Sequence, residues 1–117
     1  MKDSETYLKH IMEYISKIEY TMNNVPESKF MLDVDIQDAI IRRLEIIGEA
    51  VKNIPHSFKE NHPTCPWKDI AGTRDVLIHA YFKIDLKLIW TVVKRDIPKL
   101  REEIEKIFKT NLNHRNP

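Results

Sequence analysis

The chain has 117 residues, of which 42% are hydrophobic and 32% are charged, a balance typical of one folded globular domain. Its 19 basic and 18 acidic side chains leave a formal charge of +1, so the strong positive field of a sequence-independent nucleic-acid binder is missing. With only two glycines, Gly48 and Gly72, the chain has no glycine-rich phosphate loop, and this excludes the classical nucleotide-binding folds.

The expected compartment is the cytoplasm. The lone Cys65 cannot form an internal disulfide, which favours a reducing environment. The N-terminal segment MKDSETYLKH lacks the apolar core of a signal peptide, and no apolar run approaches the ~18 residues of a transmembrane helix. We therefore expect a cytoplasmic protein with no membrane anchor.

The first half of the chain contains two predicted helices. From Ser4 to Met22, apolar residues recur at three- and four-residue steps, the spacing of one helix face, and Asp3 or Ser4 is the candidate N-cap. A turn follows at 23–26, because asparagine favours turns and proline disfavours helix in the residue before it. A second and longer helix is predicted from about Asp33 to Ile54.

Two more helices are predicted after a proline-rich stretch. Residues 56–66 favour a short helical turn plus a loop, and a third main helix then runs from Trp67 to about Phe82. Asp85 is the candidate cap of a fourth helix. Pro98 predicts a kink or a restart, with Asp96 as its cap.

The expected fold is an all-α, antiparallel bundle of four to five helices, because no segment shows sustained period-two alternation with turn glycines. We predict a single helical domain over residues 1–110 and a frayed C-terminal tail over residues 111–117.

Arg74 stands in an otherwise apolar stripe of the third helix. At about 100° per residue, Arg74 and Tyr81 lie about 20° apart around the helix axis, on the face that also holds Ile70 and Leu77. A guanidinium group in such a place is costly to bury unless a partner or an anion compensates it. Arg74 is therefore a candidate anion-binding residue.

Asp75 and His79 are four residues apart, so they are neighbours on an adjacent helix face. We expect the Asp75 carboxylate to accept a hydrogen bond from one imidazole nitrogen and to leave the other free. Arginine can hold a phosphate bidentately and histidine can move protons near neutral pH, so the set suits phosphodiester chemistry without a metal. RNA suits it best, because the 2′-hydroxyl supplies an internal nucleophile.

A homodimer is the natural solution to one geometric problem. Arg74 and His79 lie about 140° apart around a single helix, whereas two copies facing across a dimer axis can pool both pairs. The same spacing is also compatible with a purely structural dimer, in which Arg74 forms an interface salt bridge and does no chemistry.

The order Arg74-Asp75-x3-His79-x-Tyr81 matches the Arg-polar-x3-His signature of the HEPN superfamily, and the tyrosine is typical of its HepT-like toxins. The segments PWKDIAGTRDVLIHAYFKID and LKLIWTVVKRDIPKL resemble the C-terminal half of that family, and RRLEIIGEAVKNIP resembles its second helix. Through this resemblance, which covers most of the chain, the sequence is identified as a member of the family.

The resemblance implies a helical homodimer whose Arg and His residues form a metal-independent endoribonuclease site in the cleft between protomers. It also implies the toxin of a toxin–antitoxin pair, whose antitoxin is a minimal nucleotidyltransferase that adenylylates Tyr81. An adenylyl group at Tyr81 would add bulk and negative charge beside Arg74. We expect RNA as the substrate and no cofactor.

Three further points remain open in the sequence. Arg43 lies in the apolar stripe of the second helix, where it reaches the cleft as a second phosphate ligand, pairs with an acid such as Glu49 or extends to solvent. His56, His62 and Cys65 match no established metal-site spacing, so we expect no metal there. The alternative function is a non-catalytic helical module that docks a nucleotidyltransferase partner, which the near-zero net charge favours.

Overall fold

The computed structural model describes the backbone of residues 2–80 and 83–115 and the side chains of residues 4–80 and 83–110; all regular structure in these ranges is helical, which confirms the all-α prediction. The α-helices in these ranges are α1 Lys2–Met22, α2 Glu27–Phe30, α3 Val34–Asn53, α4 His56–Glu60, α5 Trp67–Ile78, α6 Leu86–Thr91 and α7 Ile97–Arg115. The number of helices in the bundle, the homodimer and the division into residues 1–110 and 111–117 stay predictions.

The core is built from the apolar stripes that the sequence predicts. On α1 and α3 the stripe residues that are buried are Leu8, Ile11, Ile15, Ile18, Met22, Ile40, Leu44, Ile47 and Val51. Helix α3 packs against both α1 and α5 and is therefore the centre of the bundle. Arg43 on α3 contacts Lys17 and Thr21 near the end of α1, while Tyr7 near its start shares a groove with Asn53 at the end of α3. Helices α1 and α3 therefore run antiparallel.

The predicted caps differ in outcome. The Asp85 carboxylate accepts from the backbone N–H of Leu88 at 3.1 Å and so caps α6 as predicted. The prediction for α1 was wrong, because α1 begins at Lys2 and both Asp3 and Ser4 lie inside its first turn. Ser4 is buried, and its hydroxyl has no hydrogen-bond partner among the described residues.

The predicted restart at Pro98 was also wrong. The backbone stays helical from Leu86 to Arg115, with a π-helical turn at Val92–Asp96 between α6 and α7. In a regular α-helix the ring of Pro98 would clash with the carbonyl group of residue 94, and the wider π turn relieves this contact. Asp96 is buried in that turn, where its carboxylate accepts from Arg95 Nε at 2.9 Å instead of capping a new helix.

A buried carboxylate on α7, that of Glu103, anchors the loop that precedes α5. Glu103 accepts hydrogen bonds from Thr64 Oγ1 and, at 3.1 Å each, from Lys99 and Lys106. These bonds, with that of Thr64 the strongest, lower the pKa of Glu103 from its ordinary value of 4.5 to about 2. Burial, together with the nearby Glu103 charge, raises the pKa of the Cys65 thiol to about 12.

None of the helices in the described ranges is both long and apolar enough to cross a membrane.

Candidate active site

Helix α5 ends earlier than its sequence pattern predicts. Its last residue is Ile78, and His79 follows as the C-cap with φ −99° and ψ 4°. The prediction of a helix to about residue 82 was therefore too long by at least the two residues at 79 and 80. As a result, His79 is exposed at the helix end and is not one more residue on a regular helix face.

Asp75 orients His79 through its backbone. The His79 Nδ1 atom lies 2.7 Å from the main-chain carbonyl oxygen of Asp75. Because a carbonyl only accepts, Nδ1 carries the proton of this hydrogen bond, and in the neutral ring Nε2 carries the lone pair. The expected bond from the Asp75 carboxylate to the imidazole was wrong, although the outcome, one ring nitrogen held and the other available, is the same.

The Asp75 carboxylate contacts Lys52 of α3 and the adjacent residue Arg74. It accepts from Lys52 Nζ at 2.7 Å and lies 3.5 Å from Arg74 Nη1. The hydrogen bond from Lys52 lowers the pKa of Asp75, and the nearby Arg74 charge adds to the effect. Asp75 thus contacts Arg74 through its side chain and His79 through its carbonyl group, which joins the three residues into one cluster.

Arg74 is held mainly by Glu49. The Arg74 Nη2 atom lies 2.7 Å from Glu49 Oε1, and the arginine side chain is 23% exposed. The prediction that this charge needs compensation inside an apolar stripe is confirmed, since carboxylates of α3 and α5 supply it. Glu49, considered in the sequence as a partner of Arg43, is the partner of Arg74 instead.

Gly48 makes the close approach of α3 and α5 possible. A Cβ atom at this position would lie 2.3 Å from the Arg74 Cβ and 2.8 Å from its Cγ. No residue other than glycine fits at this position without a shift of the helices. The start of the Arg74 side chain therefore rests directly on the backbone of α3.

Arg74 opens onto a groove between α1, α3 and α5. The groove has a volume of about 510 Å³, and Tyr7, Ala50 and Ile78 contribute to its walls. Ile78, which lines this groove, is 45% exposed, although it is a large apolar side chain. The end of α5 thus combines a reachable arginine with an apolar surface.

Two of the predicted site residues lie elsewhere or outside the description. Arg43 donates to the Lys17 carbonyl oxygen at 3.0 Å and to Thr21 Oγ1, so it ties α3 to α1 and does not line the groove of Arg74. Its predicted role as a second phosphate ligand has no support in these contacts. Tyr81, the predicted modification site, lies outside the described residues.

The histidines considered as metal ligands have other neighbours. His56 Nε2 lies 3.7 Å from Glu60 on α4, and the His62 ring packs on Phe58. Within residues 4–80 and 83–110, no group of three or more His, Cys, Asp and Glu side chains is arranged to hold a metal ion.

Sequence reasoning missed the support that α3 gives to the motif. Gly48, Glu49 and Lys52 contact Arg74 and Asp75 from the neighbouring helix. The available signals were a glycine in the middle of a helix, where it costs about 1 kcal/mol relative to alanine, and charged residues at 49 and 52 beside it.

Comparison with known proteins gives one consistent result. The model of the Ribonuclease HepT-like family matches residues 11–107. A protein of Thermococcus cleftensis named "Probable ribonuclease HepT" is 46% identical over 92% of this chain and 98% of that protein. A protein of Methanocaldococcus jannaschii named "Gamma-glutamylcyclotransferase and putative RNase" is 52% identical over 92% of this chain, which spans 48% of that protein. No solved structure matches the chain.

Proposed function

Because the chain belongs to the HepT-like ribonuclease family, we propose that it is a metal-independent endoribonuclease whose centre is Arg74 and His79. The observation that carries this proposal is the double contact of Asp75, whose carboxylate lies 3.5 Å from Arg74 Nη1 and whose carbonyl oxygen lies 2.7 Å from His79 Nδ1. One residue thus connects a permanent cation with an oriented imidazole, which are the two groups that phosphodiester cleavage needs.

The proposed reaction is a transesterification within the RNA. A base removes the proton of the 2′-hydroxyl, the O2′–P bond forms, and the P–O5′ bond breaks as an acid gives a proton to the leaving oxygen. The products are a 2′,3′-cyclic phosphate and a 5′-hydroxyl end, with no net change in protons. His79 acts as the base or the acid through Nε2, because Nδ1 is held by the Asp75 carbonyl group.

Arg74 is the proposed phosphate ligand. Glu49 and Asp75 take one N–H each from its two terminal nitrogens, and a guanidinium group carries five N–H donors. Three donors are therefore left for the oxygens of the reacting phosphate, where negative charge grows in the transition state.

We place this site in the cleft of a homodimer, where the two His79 side chains serve as acid and base. Ile78, an exposed apolar residue that lines the groove beside Arg74, supports a protein contact at this end of α5. A dimer also brings a second His79 imidazole to the site, because each protomer carries one.

The regulation that we propose is that of a toxin–antitoxin pair. A minimal nucleotidyltransferase transfers an adenylyl group from ATP to the hydroxyl of Tyr81, two residues after His79, and releases pyrophosphate. The added phosphate competes with RNA for Arg74, and the added bulk fills the cleft. Mass spectrometry of the protein expressed with and without a neighbouring nucleotidyltransferase gene tests this part.

The decisive experiment is cleavage of a defined RNA by the purified dimer in excess chelator. We expect the wild type to produce 2′,3′-cyclic phosphate ends, Arg74→Ala and His79→Ala to lose about 10²-fold or more in rate, and His56→Ala to behave as the wild type. His56 is a matched control because it is an exposed histidine on another helix, where it pairs with Glu60. Equal cleavage by all four proteins would mean a contaminating nuclease and would refute the proposal.

The second candidate function is the non-catalytic docking module. It is favoured by the neutral charge of the cluster, in which Arg74 and Lys52 are balanced by Glu49 and Asp75, so that the site adds no positive field for RNA. This reading predicts an inert wild type with unmodified Tyr81 that still binds a nucleotidyltransferase with micromolar or better affinity.

A further inference from the structure

The end of the Arg74 side chain has one strong partner, and that partner comes from another helix. Glu49 Oε1 accepts from Arg74 Nη2 at 2.7 Å, whereas the Asp75 carboxylate is 3.5 Å from Nη1. Asp75 is engaged more closely by Lys52, at 2.7 Å. The direction of the guanidinium plane is therefore set by Glu49 and only weakly by Asp75.

The start of the same side chain is also fixed by α3. The Arg74 Cβ and Cγ rest on Gly48, where an added Cβ would come within 2.3 Å and 2.8 Å of them. Consecutive residues of α3, Gly48 and Glu49, thus hold the first carbons and the charged end of one arginine. The torsions between these two points would otherwise be free, and holding a long side chain in one conformation costs entropy.

From these contacts we infer that Glu49 is a positioning residue that aims the Arg74 guanidinium group at the reacting phosphate. The inference rests on the proposed function, because it assigns Glu49 a task in that reaction. Glu49 itself does not touch RNA in this assignment. Its carboxylate uses one N–H of Arg74 and the Asp75 carboxylate uses a second, which leaves three of the five in a fixed plane for the phosphate.

A merely stabilising ion pair predicts something different. A surface pair contributes little to stability and nothing to the rate of the folded protein. A positioning residue instead lowers kcat when it is removed, since the misdirected arginine loses contacts that are strongest in the transition state. The two roles therefore separate in kinetics measured per folded dimer.

The first readout is nitrogen NMR of the arginine side chains. In the wild type, the bond to Glu49 restricts rotation about the Arg74 Nε–Cζ bond, so the two Nη nitrogens give separate signals. We expect Glu49→Ala to merge these signals and Glu49→Gln to keep them partly separate, because the amide oxygen still accepts from Nη2. Glu19→Ala is the matched control, since Glu19 on α1 makes an equally short ion pair with Arg101 of α7, at 2.7 Å, outside the groove of Arg74.

The second readout is cleavage of a defined RNA at several concentrations. We expect Glu49→Ala to lower kcat about tenfold with less than a threefold change in KM, Glu49→Gln to lie between it and the wild type, and Glu19→Ala to match the wild type. Separate Nη signals in Glu49→Ala, or an unchanged kcat, would overturn the positioning role and leave the ribonuclease proposal intact. An inert wild type would overturn the proposed function itself, whatever the NMR signals of Arg74 show.

Discussion

Gly48→Ala is expected to displace Arg74 at a moderate cost in stability. The new Cβ would lie 2.3 Å from the Arg74 Cβ, whereas nonbonded carbon atoms pack at about 3.5–4.0 Å. Rotation of the arginine cannot relieve this clash, because the Cβ is fixed to the α5 backbone. Helices α3 and α5 must therefore separate locally by roughly 1 Å.

The substitution has separate effects on the free energy of unfolding and on the cleavage rate. Overpacking of this kind costs about 1–3 kcal/mol, and alanine in place of a helical glycine returns about 1 kcal/mol. The expected net loss in the free energy of unfolding is about 0–2 kcal/mol. A displacement of about 1 Å at a group that contacts the reacting atoms costs about 10²-fold in rate.

Gly72→Ala is the control for this substitution. Gly72 lies in α5, two residues before Arg74, and an added Cβ there meets nothing within 4 Å. It should raise the free energy of unfolding by about 1 kcal/mol and leave cleavage unchanged. Urea denaturation and RNA cleavage in excess chelator measure both quantities. A Gly48→Ala protein that is more stable than the wild type and cleaves at the wild-type rate would refute the reasoning.

Three further predictions follow from single contacts. Asp75→Asn should slow RNA cleavage less than about tenfold, and much less than His79→Ala does. The reason is that the substitution keeps the main-chain carbonyl group of residue 75, which binds His79 Nδ1. Equal losses of rate in the two variants would contradict this. Glu103 is stabilising above its ordinary pKa of 4.5, and this contribution disappears as the pH falls towards about 2. Glu103→Gln should therefore be less stable than the wild type in urea at pH 7 but nearly as stable at pH 2.5, and a constant difference would contradict the assignment. With its pKa raised to about 12, Cys65 should react with a disulfide reagent at pH 8 only through opening of the fold, since roughly 10⁻⁴ of the thiol is ionised; rapid labelling of the native protein would exclude this.

The sequence predicted the elements where local chemistry decides them. The apolar stripe from Leu8 to Met22 is buried as expected, because a helix with that spacing has one face that must leave water. The Asp85 cap was predictable for the same local reason, since its carboxylate reaches a backbone N–H three residues along the same chain. The turn before Pro26 contains Asn24 with φ 60°, a conformation that asparagine tolerates.

Prediction from the sequence failed at two helix boundaries, where the same local pattern is compatible with more than one backbone path. A proline after an acidic residue predicts a helix start at Asp96 and Pro98, yet a π turn keeps the helix continuous there. The apolar periodicity predicted that α5 continues through His79. Hydrophobic spacing does not reveal that the His79 side chain donates a hydrogen bond to the main-chain carbonyl group of Asp75. Both errors concern competition for backbone groups, which depends on the exact path of the chain.

The residues of the proposed site, Arg74, Asp75 and His79, were predictable from the sequence, since their types and spacing on one segment suit phosphate binding and proton transfer. Their partners were decided only by the tertiary structure. Glu49 is 25 positions before Arg74 in the chain, and no local pattern distinguishes a carboxylate that crosses to α5 from one that points to water. Packing of α3 on α5 over Gly48 makes that choice, because it brings the two helices close enough for Glu49 to reach the guanidinium group.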